Sequence, residues 1–120
     1  MKKTYDQNNI FAKILKSEIP CQKILENEHA LAFSDINPQA PTHILIIPKS
    51  PYIDFHDFTK NASSSEVNLL WKLVNDVIEN QNISNKGFRI ITNSGEDGNQ
   101  DVPHFHVHLL GGKNLGRIIS

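Results

Sequence analysis

Cysteine is nearly absent from this sequence. The single thiol, Cys21, excludes an intramolecular disulfide and any cysteine-rich metal framework. It leaves a reducing cytoplasm as the default location. Long apolar runs are also missing, and the longest, Ile44 to Ile47, is far too short to cross a bilayer. The opening stretch MKKTYDQNN carries two lysines with no apolar segment behind them, which argues against a secretory signal. An excess of one charge sign is lacking too. The formal net charge is −1, so nothing points to nucleic acid or a membrane surface as a partner. A small anionic ligand stays open, because local donors bind phosphate without net positive charge. There is no internal repeat and no low-complexity tract. The 120 residues, 38% of them hydrophobic, suffice for one domain spanning 1–120 with its own core.

Periodicity supplies the elements. NNIFAKILKSEIP predicts a short helix capped by Asn8 or Asn9, with Ile10, Phe11, Ile14 and Leu15 on its apolar face and Pro20 beyond its end. QKILEN and ALAFSD read as two strands of a hairpin. INPQAPT is a loop, and HILIIPK is a β-branched run suited to a central strand. SPYIDFHDFT reads as irregular with at most one helical turn. In SSSEVNLLWKLVNDVIENQ, Ser63 and Glu66 form a capping-box signature. Val67, Leu70, Trp71, Val74, Val77 and Ile78 then recur at helical spacing. GFRIITN predicts a strand, SGEDGNQDV a turn-rich loop, and PHFHVHLLGG a final strand. The order lacks βαβ alternation. It predicts an α+β domain, an antiparallel sheet with its helices on one side.

Half of the six histidines lie in five consecutive positions, within HFHVHLL. On a strand, His104, His106 and His108 share one face, while Phe105, Val107 and Leu109 share the other. One reading is a solvated polar face, although three histidines in a row are an unusual surface. A second is a metal site, since neutral imidazole is a common ligand. His104 and His108 would stand about 13 Å apart on a regular strand. That spacing prevents all three rings from sharing one ion without strong bending, and no further ligand stands out at metal spacing. The third and best reading is nucleophilic catalysis. A central imidazole attacks while its neighbours orient it and handle protons, and the glycine-containing loop ahead of the strand cradles an oxyanion.

HFHVHLL resembles the signature of the histidine triad family. IFAKILKSEIP resembles that family's opening helix, LAFSDINPQAPTHILIIPK its central block, and NSGEDGNQDVPHFHVHLLGG its phosphate loop and triad strand. The similarity runs from Ile10 to Gly112 and is greatest to the branch of small nucleotide-binding phosphoramidases, the Hint proteins. It implies a five-stranded antiparallel sheet with a short N-terminal helix and one long central helix, dimerising into a ten-stranded sheet. It also implies that His106 attacks the α-phosphorus of a purine nucleoside phosphoramidate, and that water then releases the nucleoside monophosphate. His108 would lie near the phosphate and leaving group, with His104 and His43 supporting the other rings. The resemblance places Asn93, Asn99, Gln100, Asp101 and Val102 at the phosphate, and Asp35 at the ribose hydroxyls. Ile10, Phe11, Ile14, Phe33, Ile36 and Leu45 fall at the base walls. It implies no metal and no other cofactor. His29 and His56 match nothing in the family and read as surface residues.

The third triad position is His108, where the nucleotidyltransferase branch has glutamine, so hydrolysis is expected over transfer. The 12 residues after His108 set an expectation against the zinc-binding extension of the DNA-repair branch and the longer tail of the dinucleoside polyphosphate hydrolases. Two rivals remain: dinucleoside polyphosphate hydrolysis, and a nucleotide-binding scaffold with little catalysis. Asn99 stands where the family usually has glycine, and asparagine tolerates left-handed backbone. Asp101 stands where many members have serine. Its carboxylate is expected to cap the loop, with bonding to a ring such as His104, or protonation, as alternatives. The ending KNLGRIIS lacks the Trp-Pro-Pro of some Hint proteins.

Overall fold

The computed structural model describes residues 4–119, so Lys2 and Lys3, which entered the reading of the N-terminus, lie outside the described residues. The elements run α1 (Ile10–Leu15), β1 (Lys23–Glu26), β2 (Ala30–Ser34), β3 (Thr42–Pro48), α2 (Phe55–Asn61), α3 (Ser64–Asn80), β4 (Phe88–Ile91) and β5 (Val107–Gly111). The strands form one sheet in the order β1-β2-β3-β5-β4, and every neighbouring pair is antiparallel. No helix among the described residues is long and apolar enough to span a membrane.

Local chemistry explains the helix boundaries. Asn9 rather than Asn8 caps α1, its side chain accepting from the Ala12 amide at 2.8 Å. Ser63 and Glu66 close both bonds of the capping box at the start of α3. Glu66 also accepts from the Tyr52 hydroxyl at 2.9 Å, tying the segment after β3 to the helix start. The stretch read as irregular contains α2, a seven-residue helix capped by Asp54, whose carboxylate accepts from the Asp57 amide. On α3 the buried face is Leu70, Leu73, Val74, Val77 and Ile78, whereas Trp71 is pushed toward the rim and half-exposed.

The sheet is covered on both faces, not one. Ala30, Ala32, Ile44, Ile46, Val107 and Leu109 point to α3 and form the main core with Phe58 and Phe105. Leu31, Phe33, Leu45 and Ile47 alternate to the opposite face and pack on Phe11, Ile14 and Leu15 of α1. The expectation of helices on one side overlooked how fully apolar β2 and β3 are. A strand buried on both faces needs a cover on each.

The triad strand is shorter than PHFHVHLLGG suggested. β5 begins only at Val107, and His104 and His106 precede it. Pro103 has no amide to donate. The Phe105 amide leaves the sheet direction to bond the Tyr52 carbonyl at 2.7 Å. The in-and-out alternation persists all the same. Phe105 is buried in the α3 core, while His104 and His106 are buried near Phe11.

Phe58 and Phe105 stack at 4.8 Å between ring centroids, and both are fully buried. Phe58→Ala is therefore expected to cost about 3–5 kcal/mol in urea unfolding. A loss below about 1 kcal/mol would place α2 outside the cooperative core.

Candidate active site

The α1 face of the sheet contains a cavity of about 250 Å³ bounded by α1, β2, β3 and the loop before the triad. Its apolar wall contains Phe11, Ile14, Phe33 and Leu45, with Ile10 and Ile36 exposed at the rim. Its polar end holds Asp35, Asp101, His106 and His108. Two other clefts, one beyond the end of α1 and one beside β4, touch no triad histidine.

Hydrogen-bond partners assign a tautomer to each ring. A carbonyl can only accept, so each nitrogen that faces one carries a proton. His104 Nε2 therefore donates to the Pro48 carbonyl at 2.9 Å, and its Nδ1 accepts from the Tyr5 hydroxyl at 2.6 Å. His106 Nδ1 donates to the His104 carbonyl at 2.7 Å. The remaining nitrogen of neutral His106, Nε2, thus keeps its lone pair, and the ring rests edge-on to Phe11 with centroids 4.9 Å apart. A fixed imidazole with one unprotonated nitrogen at a cavity can act as a nucleophile or a base.

A second chain of bonds starts at Gln39. Its backbone amide donates to His43 Nδ1 at 3.0 Å, so His43 carries its proton on Nε2. That proton is shared between His108 Nδ1 at 2.9 Å and Asp35 Oδ2 at 3.4 Å. His108, accepting at Nδ1, holds its own proton at Nε2. Burial pushes the His108 pKa down to about 4, helped by His106 and His43, while Asp35 and Asp101 oppose the shift. Burial also lowers His104 to about 4, and lowers His43.

Among the described residues, the group with metal-ligand spacing is Asp35, His43 and His108, whose ligand atoms lie within 4.8 Å of one another. Most of that donor capacity is already engaged. The His43 and His108 nitrogens face each other, His43 Nδ1 takes the Gln39 amide, and Asp35 Oδ1 takes the Asn37 amide at 2.8 Å.

The loop from Ser94 to Asp101 is wound on itself. Gln100 accepts from the Gly95 amide and donates to the Ile53 and Val102 carbonyls. Asn93 donates to the Gly98 carbonyl. A Cβ at Gly98 would sit 2.4 Å from the Ser94 carbonyl oxygen, so only glycine fits. Asn99 takes φ +57°, the left-handed conformation expected of it. Asn93 and Gln100 thus spend their side chains bracing the loop, and with Asn99 they stand outside the cavity lining, whereas Asp101 and Val102 line it. His43 and His104 stand behind the lining rings.

Of the roles expected for Asp101, contact with a triad ring fits better than loop capping. Among the described residues its carboxylate takes no hydrogen bond from a loop amide; the Gly95, Asn99 and Gln100 amides go to other partners. Nor does it reach His104, which is fully buried. Its Oδ1 lies 3.5 Å from His106 Nε2 instead, with 77% of the side chain exposed. That contact is an ion pair only when His106 carries a second proton.

Sequence reasoning missed Tyr5, Ile19, Pro20, Cys21, Ser34 and Asn37. Ser34 and Asn37 flank Asp35 and were detectable as its neighbours. Nothing near Tyr5 in the chain hints at a partner 99 positions away.

A family model described as "HIT domain" matches residues 16–115. A 13.2 kDa HIT-like protein of Azospirillum brasilense is 54% identical over 100% of this chain and 98% of its own length. A purine nucleoside phosphoramidase of Escherichia coli K12 is 37% identical, covering 95% of both chains. Among solved structures, a HIT family hydrolase from Legionella pneumophila superposes with a TM-score of 0.86 at 36% identity, covering 94% of this chain and 100% of the other.

The histidine burial has a pH signature. His104 and His108 bind protons more weakly folded, near 4, than at the ordinary value of 6.5. Between those values the unfolded chain holds more protons, so stability is full above about 6.5 and declines as pH falls toward 4. The melting temperature is expected to drop across this window, less steeply in His104→Gln. A melting temperature independent of pH from 6.5 to 4 would contradict the burial of neutral rings.

Proposed function

The chain belongs to the HIT family, and on that premise we propose that it is a nucleotide-binding hydrolase that cleaves the phosphorus–nitrogen bond of purine nucleoside phosphoramidates. One observation carries the reading. The bond from His106 Nδ1 to a backbone carbonyl reserves Nε2, at the cavity, for attack. Support comes also from the relative in Escherichia coli that bears the name purine nucleoside phosphoramidase.

In the first step Nε2 of His106 bonds to the α-phosphorus and the phosphorus–nitrogen bond breaks. The electron pair stays with the amine nitrogen, which leaves after taking a proton. His108 is the donor in this reading. Its low pKa reflects a site without substrate, and an arriving phosphate adds negative charge that acts in the same direction as Asp35 and Asp101. Water then attacks phosphorus as its proton passes to His108, left unprotonated by the first step, the bond to Nε2 breaks, and nucleoside monophosphate departs. His104 and His43 act through their neighbours as positioning residues. Phe11, Ile14, Phe33 and Leu45, with Ile10 and Ile36 at the rim, hold the base, Asp35 accepts from the ribose hydroxyls, and Asp101 and Val102 border the phosphate. The reaction needs no metal in this scheme, because the nucleophile is a side chain rather than a metal-activated water.

We also propose a homodimer joined through β4. That strand is an edge of the sheet, and Phe88 and Ile90 stand about two-fifths exposed on it. The other edge, β1, is broken by a register shift and carries Lys23 and Glu26 at its ends, features that discourage pairing.

His106→Ala is expected to lose phosphoramidate turnover by several orders of magnitude, assayed with chelator present, while still binding nucleoside monophosphate. Rapid acid quench of the wild type should trap the nucleotide on a histidine. Retention of a tenth of wild-type turnover by the variant would remove His106 from the nucleophile's role.

Ribonucleotides are expected to bind more tightly than 2′-deoxynucleotides by about 1.5–3 kcal/mol, the range for hydrogen bonds to a charged group. In Asp35→Ala that difference should narrow toward zero. Equal wild-type affinity for both sugars, measured by calorimetry, would show that Asp35 does not read the ribose.

A further inference from the structure

Asp101 puts a negative charge where the reaction already gathers negative charge. Its carboxylate lines the same cavity as His106 and His108 and lies 3.5 Å from the nitrogen assigned to attack. Among the described residues it takes no hydrogen bond from backbone or side chain, so its oxygens are open to a donor from outside the protein. No lysine or arginine occurs between Arg89 and Lys113, and among the described residues none pairs with Asp101 or lines its cavity. Lys23 and Lys49 line a different cleft, where both bond to Glu26 at 2.6 and 2.8 Å.

A carboxylate in that position repels a phosphate unless positive charge accompanies it. His106 does not supply that charge in the bound state before attack, since Nε2 must be unprotonated to act as nucleophile; the ring becomes cationic only as Nε2 bonds to phosphorus with the Nδ1 proton retained. The rest of the lining is largely apolar, and its polar members, Ser34, Asp35, Asn37 and His108, include no lysine or arginine. The part of the substrate with freedom to bring a cation is the amine leaving group.

We propose that Asp101 selects the leaving group, favouring phosphoramidates whose amine carries a second, protonated amino group over those with neutral or carboxylate-bearing amines. The proposal rests on the hydrolase reading above and deepens it to a substrate class. Asp101 exchanges no proton in it. The distal ammonium bonds to the carboxylate in the bound state, the phosphorus–nitrogen bond breaks as described, and the released diamine takes its charge away with it. Because the Asp101 side chain is mostly exposed, the pair is screened by water and its effect is modest.

The test uses three nucleoside 5′-phosphoramidates of matched length, built from propylamine, ethylenediamine and β-alanine. Their kcat/KM values are measured on the full chain at low and high salt. The ethylenediamine substrate is expected to exceed the propylamine one by up to about fivefold at low salt, the upper range for an exposed ion pair, and the β-alanine substrate to fall below it. In Asp101→Asn, which keeps shape and removes charge, the three values should converge, and high salt should compress the wild-type ratios. A purely structural role for Asp101 would change all three substrates together and leave their ratios and salt dependence unmoved. Equal wild-type ratios, or ratios unchanged in Asp101→Asn, would overturn the selector while the hydrolase stands. No turnover of any of the three would overturn the hydrolase reading and the selector with it.

Discussion

The bond between the His106 ring and the His104 carbonyl governs much of this molecule. A backbone carbonyl cannot donate, so its partner nitrogen must hold the proton and the opposite nitrogen must not. To offer that carbonyl to a side chain, the backbone has to withhold it from the sheet. β5 accordingly starts only at Val107, and the preceding residues take other partners: the Phe105 amide goes to Tyr52, and the His106 carbonyl to the Thr92 hydroxyl at 2.8 Å. His104 itself is then enclosed between Tyr5 and Pro48, with both ring nitrogens satisfied. An unpaired buried ring nitrogen would cost about 1–3 kcal/mol, so these contacts let a polar residue occupy a fully buried position.

The two faces of the sheet divide the work. The α3 face is continuous apolar packing, and the α1 face is apolar at β2 and β3 but polar where the histidines enter. Strand alternation assigns each residue to one face or the other, so the register of β3 against β5 places His108 opposite Leu45 and His43 opposite Leu110. That register brings His43 within hydrogen-bond reach of His108 across 65 positions of chain. Asp35, just beyond β2, completes the row.

Residue patterns with a short physical range were legible in the chain. The Ser63 and Glu66 capping box, the α3 periodicity, the strands and the shared side of the histidines all follow from neighbours a few positions apart. α2 was also within reach, since Asp54 and Asp57 repeat the capping logic with Phe55 and Phe58 one turn apart, but Pro51 and the mixed polarity obscured it. Long-range pairings were not legible. The side of the sheet that α1 covers depends on the apolar faces of β2 and β3 jointly. The contacts of Tyr5 with His104 and of Gln100 with Ile53 depend on where loops close in three dimensions. The resemblance to a known family supplied the grouping of His43, Asp35 and the triad that spacing alone left open. It did not supply the direction of Asp101, because that residue is where this chain differs.

Phe105 sits between two histidines in sequence and stacks on Phe58 on the far side of the sheet. Its ring belongs to the core, while its backbone connects the carbonyl that fixes one tautomer to the ring that is fixed. A cavity or an extra methylene near α2 or α3 is therefore transmitted to His106 through a single residue, without passing any side chain of the cavity lining. Substitutions in the hydrophobic interior are constrained twice in this protein, by packing and by chemistry. Drift in the α3 core should be confined to compensated exchanges that keep Phe105 in place, even where the protein has stability to spare.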